Sequence, residues 1–200
     1  MPVKNKGDAS VHLWTLDDAY RGPGHLIRRL QQIAVAIFMD EFKGLEITPV
    51  QYMALVAIRD RPGLEQQAIA DLIAIDRSSA GRVLQFLEER GLIQRVTPAN
   101  NRRTKQAFVT PAGLRLVNAG AKPIRRAEER ILQVLNGKEQ HQFIQLLVKL
   151  AHINNNVSRA PLRMPGDGAR RHNGRDAELI ALAKTLRPPD ARGRMKGRGL

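Results

Sequence analysis

Residues 76–93, Asp-Arg-Ser-Ser-Ala-Gly-Arg-Val-Leu-Gln-Phe-Leu-Glu-Glu-Arg-Gly-Leu-Ile, decide the fold. Asp76 and Ser78 each carry a side-chain oxygen able to cap a helix start. Ala80, Val83, Leu84 and Leu87 then recur at helical spacing and give one apolar stripe. Gly91 stands where a helix commonly ends with a left-handed residue. The opposite face carries Arg77, Ser78, Ser79, Arg82 and Gln85. The pattern predicts a helix over 77–90, about 21 Å long at the standard rise, apolar on one side and cationic on the other.

Upstream, Leu26, Ile27, Leu30, Ile33, Ala34, Ile37, Phe38 and Phe42 predict a helix from about 24 to 43, after the break at Gly22-Pro23-Gly24. Thr48, Pro49 and Gln51 form a helix start with a capping box, and Met53, Ala54, Ala57 and Ile58 are expected to be its buried face. A short helix over 65–72 buries Ile69, Leu72 and Ile73. Downstream, 92–97 and 105–109 read as two strands joined by the polar, basic loop 98–104, which makes a hairpin. Thr110-Pro111 starts a long helix to about Leu135, with a kink expected where Gly120 and Pro123 interrupt it. Asn136 and Glu139 open a last helix over about 138–156. Residues 1–19 read as a polar arm containing the only tryptophan, Trp14.

Helix, short helix, tight connection, amphipathic helix and basic hairpin is the winged helix-turn-helix order. The expected fold class is therefore mainly α with a small β-hairpin wing. A helix of this width fits the major groove, Arg82 can reach guanine bidentately, and small Ser78 and Ser79 allow close approach. The helix start attracts phosphate, where Arg77 also stands. Arg102, Arg103 and Lys105 cluster on the wing for minor-groove and phosphate contact. Gln66 and Gln67, opening the preceding helix, can donate to the DNA backbone.

Charge agrees. The 200 residues hold 33 Lys and Arg against 19 Asp and Glu, a net +14. Ten of the cations and four of the acids lie in 161–200, so the body alone is basic by +8. That tail is read as disordered, with a short helix at about 176–187, and as a DNA anchor, a solubilising surface or an extension without a role. A polyanion is the expected partner, nucleic acid before membrane. There is no cysteine, which excludes disulfide and thiolate chemistry. No apolar run approaches the ~18 residues of a membrane span, and a cytoplasmic location is expected.

Residues 24–156 resemble the multiple antibiotic resistance regulator (MarR) family. The segments that carry this are 76–93, Val109-Thr-Pro-Ala-Gly113 and the wing Asn-Arg-Arg-Thr-Lys105. The resemblance implies a triangular helical homodimer joined by the first and last two helices, binding a palindromic operator, usually as a repressor released by a small ligand. The implied organisation is an arm (1–19), a dimerisation helix (20–47), the winged helix-turn-helix (48–110), dimerisation helices (111–160) and the basic tail (161–200). Two positions depart from the family pattern. Asn101 stands where an aspartate usually holds a wing arginine, and Ala68-Ile69-Ala70 replaces a Glu-Leu-Ala run.

The first turns of the first long helix, 23–30, are similar to the branch sensing aromatic acids or their coenzyme A thioesters. That similarity implies His25, Arg28, Arg29 and Tyr52 as ligand contacts. No nucleophile elbow, phosphate loop or metal-ligand cluster is present, so neither an enzyme nor a cofactor is expected. His141 and His152, eleven residues apart on one helix, are too far apart to share a metal. The competing reading is a nonspecific or architectural DNA-binding protein without a ligand.

Overall fold

The computed structural model describes residues 13–99 and 104–164. In chain order these form α1 (Leu16–Arg21), α2 (Pro23–Glu41), α3 (Pro49–Asp60), β1 (Leu64–Glu65), α4 (Gln66–Leu72), α5 (Arg77–Glu89), β2 (Ile93–Val96), β3 (Gln106–Val109), α6 (Pro111–Leu132) and α7 (Gly137–Ile153). A 3-10 turn, Asn155–Val157, comes after α7. The expectations for Asn101, Arg102, Arg103, the first twelve residues and the chain after Met164 lie outside the described residues.

Side-chain caps set the helix starts, because the first turn of a helix leaves N–H groups without intrahelical acceptors. The Gln51 N–H donates to Thr48 Oγ1 at 3.3 Å, and the Thr48 N–H donates back to Gln51 Oε1 at 2.9 Å. Asn136 and Glu139 repeat the device at α7. So does Thr15 with Asp18 at α1, a helix not expected within the arm. α5 ends in a Schellman turn: Gly91 adopts φ +65°, its N–H donates to the Glu88 carbonyl at 2.8 Å, and Leu92 N–H to Leu87 at 2.9 Å.

The core lies between α2, α3, α5, α6 and the sheet. Phe38 and Phe42 stack at 3.9 Å, with Tyr52 edge-on to Phe42 at 4.9 Å. Leu55, Ile58, Ile69, Leu84 and Leu87 are sealed from solvent. The buried face of α3 is Tyr52, Ala54, Leu55 and Ile58, whereas Met53 points outward, 55% exposed. The buried face is thus rotated from the expected one, because Met53 and Leu55 are equally apolar and only packing separates them. Of α4, Ile69 and Ala70 are buried, and Leu72 and Ile73 only half-buried.

The hairpin gains a third strand, in the order β1-β3-β2, all antiparallel. Leu64 pairs with Ala107, and Ile93 with Val109. α6 runs through Gly120 and Pro123 as one helix. Gly120 serves packing: a Cβ there would come within 2.5 Å of the Tyr52 ring.

Ion pairs fasten the end of α2 to α6. Arg126 Nε donates to Glu41 Oε2, and Arg130 Nη1 to Glu41 Oε1 and Asp40 Oδ2, each at 2.6 Å. The Arg126 and Arg130 guanidiniums hold the Glu41 carboxyl below the usual glutamate range. A lowered folded pKa contributes stability in full above the ordinary value of about 4.5, and loses it as pH falls through the folded value. Glu41→Gln should therefore flatten the loss of thermal stability below pH 4.5 and lower the melting temperature at pH 7. Melting curves from pH 7 to 3 check this, and an unchanged acid limb would refute it.

Three residues of α2, Leu26, Ile27 and Ile33, expected on its apolar face, are exposed in the single chain. α7 has no buried residue at all, and its Leu146, Leu147, Leu150 and Ile153 are open to solvent.

Candidate nucleic-acid interface

The connection between α4 and α5 is a tight left-handed turn. Ala74 takes φ +53°, and Ile75 N–H donates back to the Ala70 carbonyl at 3.1 Å. Gln66 braces the turn from α4, its Nε2 donating to the Arg77 carbonyl at 2.9 Å. Gly81 leaves room for that amide, since a Cβ would lie 3.1 Å from Gln66 Nε2. The glutamine expected to donate to DNA thus has one amide hydrogen engaged inside the motif. Gln67 is exposed, its amide donating to Asp71 Oδ1 at 2.8 Å.

Asp76 organises the start of α5. It accepts from the Ser79 N–H at 2.9 Å, from Ser79 Oγ at 2.8 Å and from Ser78 Oγ at 2.5 Å. These bonds hold its carboxyl well below the usual aspartate range, the Ser78 hydroxyl being the largest cause. Both serine hydroxyls donate to the cap, which leaves their lone pairs as acceptors. Arg82 Nη2 donates to Ser79 Oγ at 3.2 Å, one turn away, so Arg82 leans toward the helix start from an exposed position. Arg77 is exposed beside it.

The structure brings four of the expected residues to one cleft. Gln66, Gln67, Arg77 and Lys105 line a space of about 310 Å³ between α4, the start of α5 and the base of the wing. Glu65, Leu84, Arg95, Thr104 and Ala107 complete its wall. Two of these carry no signal in the sequence alone. Arg95, on β2, donates through Nε and Nη2 to Glu88 Oε2 of α5 and so ties helix to wing. Thr104 Oγ1 is enclosed without a hydrogen-bond partner. Arg90 anchors the far end of α5 to the Glu46 carbonyl at 2.5 Å. A short helix with two exposed arginines, Arg77 and Arg82, in its first two turns is thus held at both ends, with Lys105 of the hairpin at its side.

The expected ligand contacts separate into two sets. Tyr52 is 7% exposed and its hydroxyl donates to the Val117 carbonyl at 3.1 Å, so it is a core residue rather than a surface for a ligand. Burial pushes the Tyr52 phenol up. His25, Arg28 and Arg29 share one face of α2, at helical spacing. The His25 ring meets Tyr20 of α1 edge-on at 5.2 Å, and its Nε2 is enclosed without a hydrogen-bond partner. Arg28 donates to Gln32 at 3.3 Å, and Arg29 is exposed. Tyr20 has no apolar period around it to mark it, standing where the arm meets the break at Gly22-Pro23-Gly24. Among the described residues no cluster of His, Asp or Glu could hold a metal ion.

Two helices at a tight turn, with a strand hairpin held to the second helix, define a winged helix-turn-helix protein. The MarR family profile matches residues 47–105, from the cap of α3 to the base of the wing. The HTH-type transcriptional regulator YybA of Bacillus subtilis (strain 168) is 30% identical over 145 residues, 72% of this chain and 91% of that protein. The PcaV transcriptional regulator from Streptomyces coelicolor, crystallised with its natural ligand, is 30% identical with a TM-score of 0.60, over 74% of this chain and 98% of that one. Bordetella bronchiseptica BpsR, whose DNA binding is regulated by 6-hydroxynicotinic acid, is 28% identical with a TM-score of 0.61, over 64% and 97%.

The chain belongs to the MarR family of transcriptional regulators. Its relatives are DNA-binding regulators and not enzymes. No helix among the described residues is long and apolar enough to cross a membrane.

Proposed function

We propose that the protein is a homodimeric repressor that reads a palindromic operator through α5 and is released from it by a small aromatic acid or its coenzyme A thioester. The observation that carries the DNA reading is the exposed start of α5, bearing Arg77 and Arg82 beside a cleft walled by Lys105. Base-edge contact by Arg82 specifies sequence, whereas Lys105 neutralises phosphate. By their sequence alone, Arg102 and Arg103 are assigned to the same DNA contact.

Dimerisation is supported by the exposed apolar residues on α2 and α7. The effector reading rests on the edge-on contact of His25 with Tyr20 and on Arg28 and Arg29 along the same face of α2, two cations suited to a ligand carboxylate beside a ring. PcaV and BpsR, each associated with a small ligand, support the same reading. Release results if the ligand favours a dimer whose two α5 helices no longer match successive grooves.

Arg82→Ala should weaken operator binding 5- to 150-fold, about 1–3 kcal/mol, and relax base preference. Lys105→Ala should weaken operator and random duplexes alike and reduce the salt slope by about one. Fluorescence anisotropy on both duplexes measures this. Unchanged operator affinity in Arg82→Ala would remove α5 from the reading role. Adding 6-hydroxynicotinic acid in the same assay tests the effector, and no release by it or by benzoate would argue against an aromatic acid. A preference near one for operator over random DNA would favour the nonspecific, architectural alternative that the +14 charge also suits.

A further inference from the structure

The turn between α4 and α5 is supported from outside the winged domain. The last turn of a helix leaves carbonyls without intrahelical donors. In α4, those of Ile69 and Ala70 accept from the Ile73 and Ile75 N–H groups, each at 3.1 Å. That of Asp71 accepts at 2.9 Å from the Arg163 N–H, which lies beyond the end of α7 at Ile153.

Hydrogen bonds hold the path from α7 to that donor. Asn154 Nδ2 donates to the Leu150 carbonyl at 2.8 Å and closes α7. Asn155 Nδ2 donates to the Leu162 carbonyl at 3.0 Å, and the Leu162 N–H donates to Asn155 Oδ1 at 2.8 Å. One side chain thus mimics a strand partner, closes residues 155–162 into a loop and presents the Arg163 N–H to α4. Within the loop, the Ala160 N–H donates to Ser158 Oγ at 3.2 Å. No residue of 155–163 is buried, so polar pairing rather than core packing keeps this strap in place.

We propose that Asn155 and the Arg163 N–H are positioning groups for DNA reading, because the strap 155–163 fixes the α4–α5 turn and with it the start of α5. The inference rests on α5 reading DNA. The turn holds Ala74 at φ +53°, a conformation disfavoured for a residue with a Cβ, and Asp76, the cap for Ser78 and Ser79, stands two residues on. A displacement of ~1 Å there takes a base-edge hydrogen bond of ~2.9 Å out of range. The strap starts from α7, whose exposed apolar stripe is the surface proposed for the second copy. It therefore also links the seat of α7 to the spacing of the two reading helices.

The test uses three full-length variants. Arg163→Pro removes the N–H donor, Arg163→Ala removes the same charge but keeps the N–H, and Asn155→Ala opens the loop without changing charge. Amide hydrogen exchange of the Ile75 N–H is read in each, without DNA. It should be roughly 3- to 10-fold faster in Arg163→Pro than in Arg163→Ala, the worth of one hydrogen bond, and faster by a similar factor in Asn155→Ala than in the native chain. Preference for operator over random duplex should fall by about the same factor in the same two comparisons. The salt slope should not change in either comparison, since neither alters the number of cations. The double variant Asn155→Ala with Arg163→Pro should be no worse than Arg163→Pro, because both act through one strap.

Unchanged exchange at Ile75 in both Arg163→Pro and Asn155→Ala overturns the inference and leaves the reading of α5 standing. Faster exchange with operator preference intact also overturns it, since the strap would then serve stability alone. Faster exchange in a protein whose native chain has no operator preference supports the strap's hold on the turn and instead defeats the reading of α5.

Discussion

Gly113→Ala should lower the free energy of unfolding by about 3 kcal/mol. In an ordinary helix the same change would stabilise, since alanine is favoured over glycine by about 1 kcal/mol. Here a Cβ would lie 2.1 Å from the Leu92 carbonyl oxygen and 2.8 Å from Val109 Cγ1. The first obstacle is backbone and cannot rotate away. It also accepts from the Thr110 N–H at 3.0 Å and Thr110 Oγ1 at 3.1 Å, so displacing it loosens the start of α6. Leu92 adjoins β2 and Val109 ends β3, so the wing should shift as well and DNA binding should suffer. Gly137→Ala is the control, because nothing lies within 4 Å of a Cβ there. Urea unfolding measures both. Equal midpoints for Gly113→Ala and the native protein would contradict the close approach.

If the proposed homodimer forms through α7, Leu150→Glu should convert it to a monomer. Leu146, Leu147, Leu150 and Ile153 form one exposed stripe on α7, and none is needed by the core of the single chain. If a partner covers them, a carboxylate there would be buried without a counter-charge, at about 3–5 kcal/mol. The dissociation constant of the dimer should then rise by at least about 100-fold. Far-ultraviolet circular dichroism should stay close to native, because the winged domain packs elsewhere. Sedimentation equilibrium reads the outcome, and a variant that remains a dimer would place the interface on other elements. Operator affinity should fall with the dimer, since two half-sites are no longer read together.

The helix starts are legible because their chemistry is local. Thr48 with Gln51, Asp76, Thr110 with Pro111, and Asn136 with Glu139 each write their cap within four residues. Gly91 marks the end of α5 for the same reason. α1 escapes because its capping box closes with Asp18 in place of the usual Glu or Gln, inside a segment too short to show a period. β1 has two residues, below what alternation can reveal. The left-handed turn at Ala74 has no glycine to announce it.

Long-range contacts are the part that no local pattern conveys. Glu41 meets Arg126, and Gly120 makes room for Tyr52, only once α2, α3 and α6 are assembled. Placing Tyr52 among the ligand contacts fails on that point, because its ring and hydroxyl serve the core. Of the site itself, the polar face of α5 is readable as a stripe. The cleft that gathers Gln66, Gln67, Arg77 and Lys105 depends on how β3 lies against β1 and β2, which no spacing encodes.

The proposal that two α5 helices of a dimer read DNA can be tested directly by hydroxyl-radical footprinting of the full-length protein on a genomic fragment recovered with it. Two protected patches on one face of the duplex, centred about 10 base pairs or a multiple of that apart and lost together in Arg82→Ala, are expected. Protection spread evenly along the fragment, or a footprint unaltered by Arg82→Ala, would contradict the assignment of α5 as the element that reads DNA.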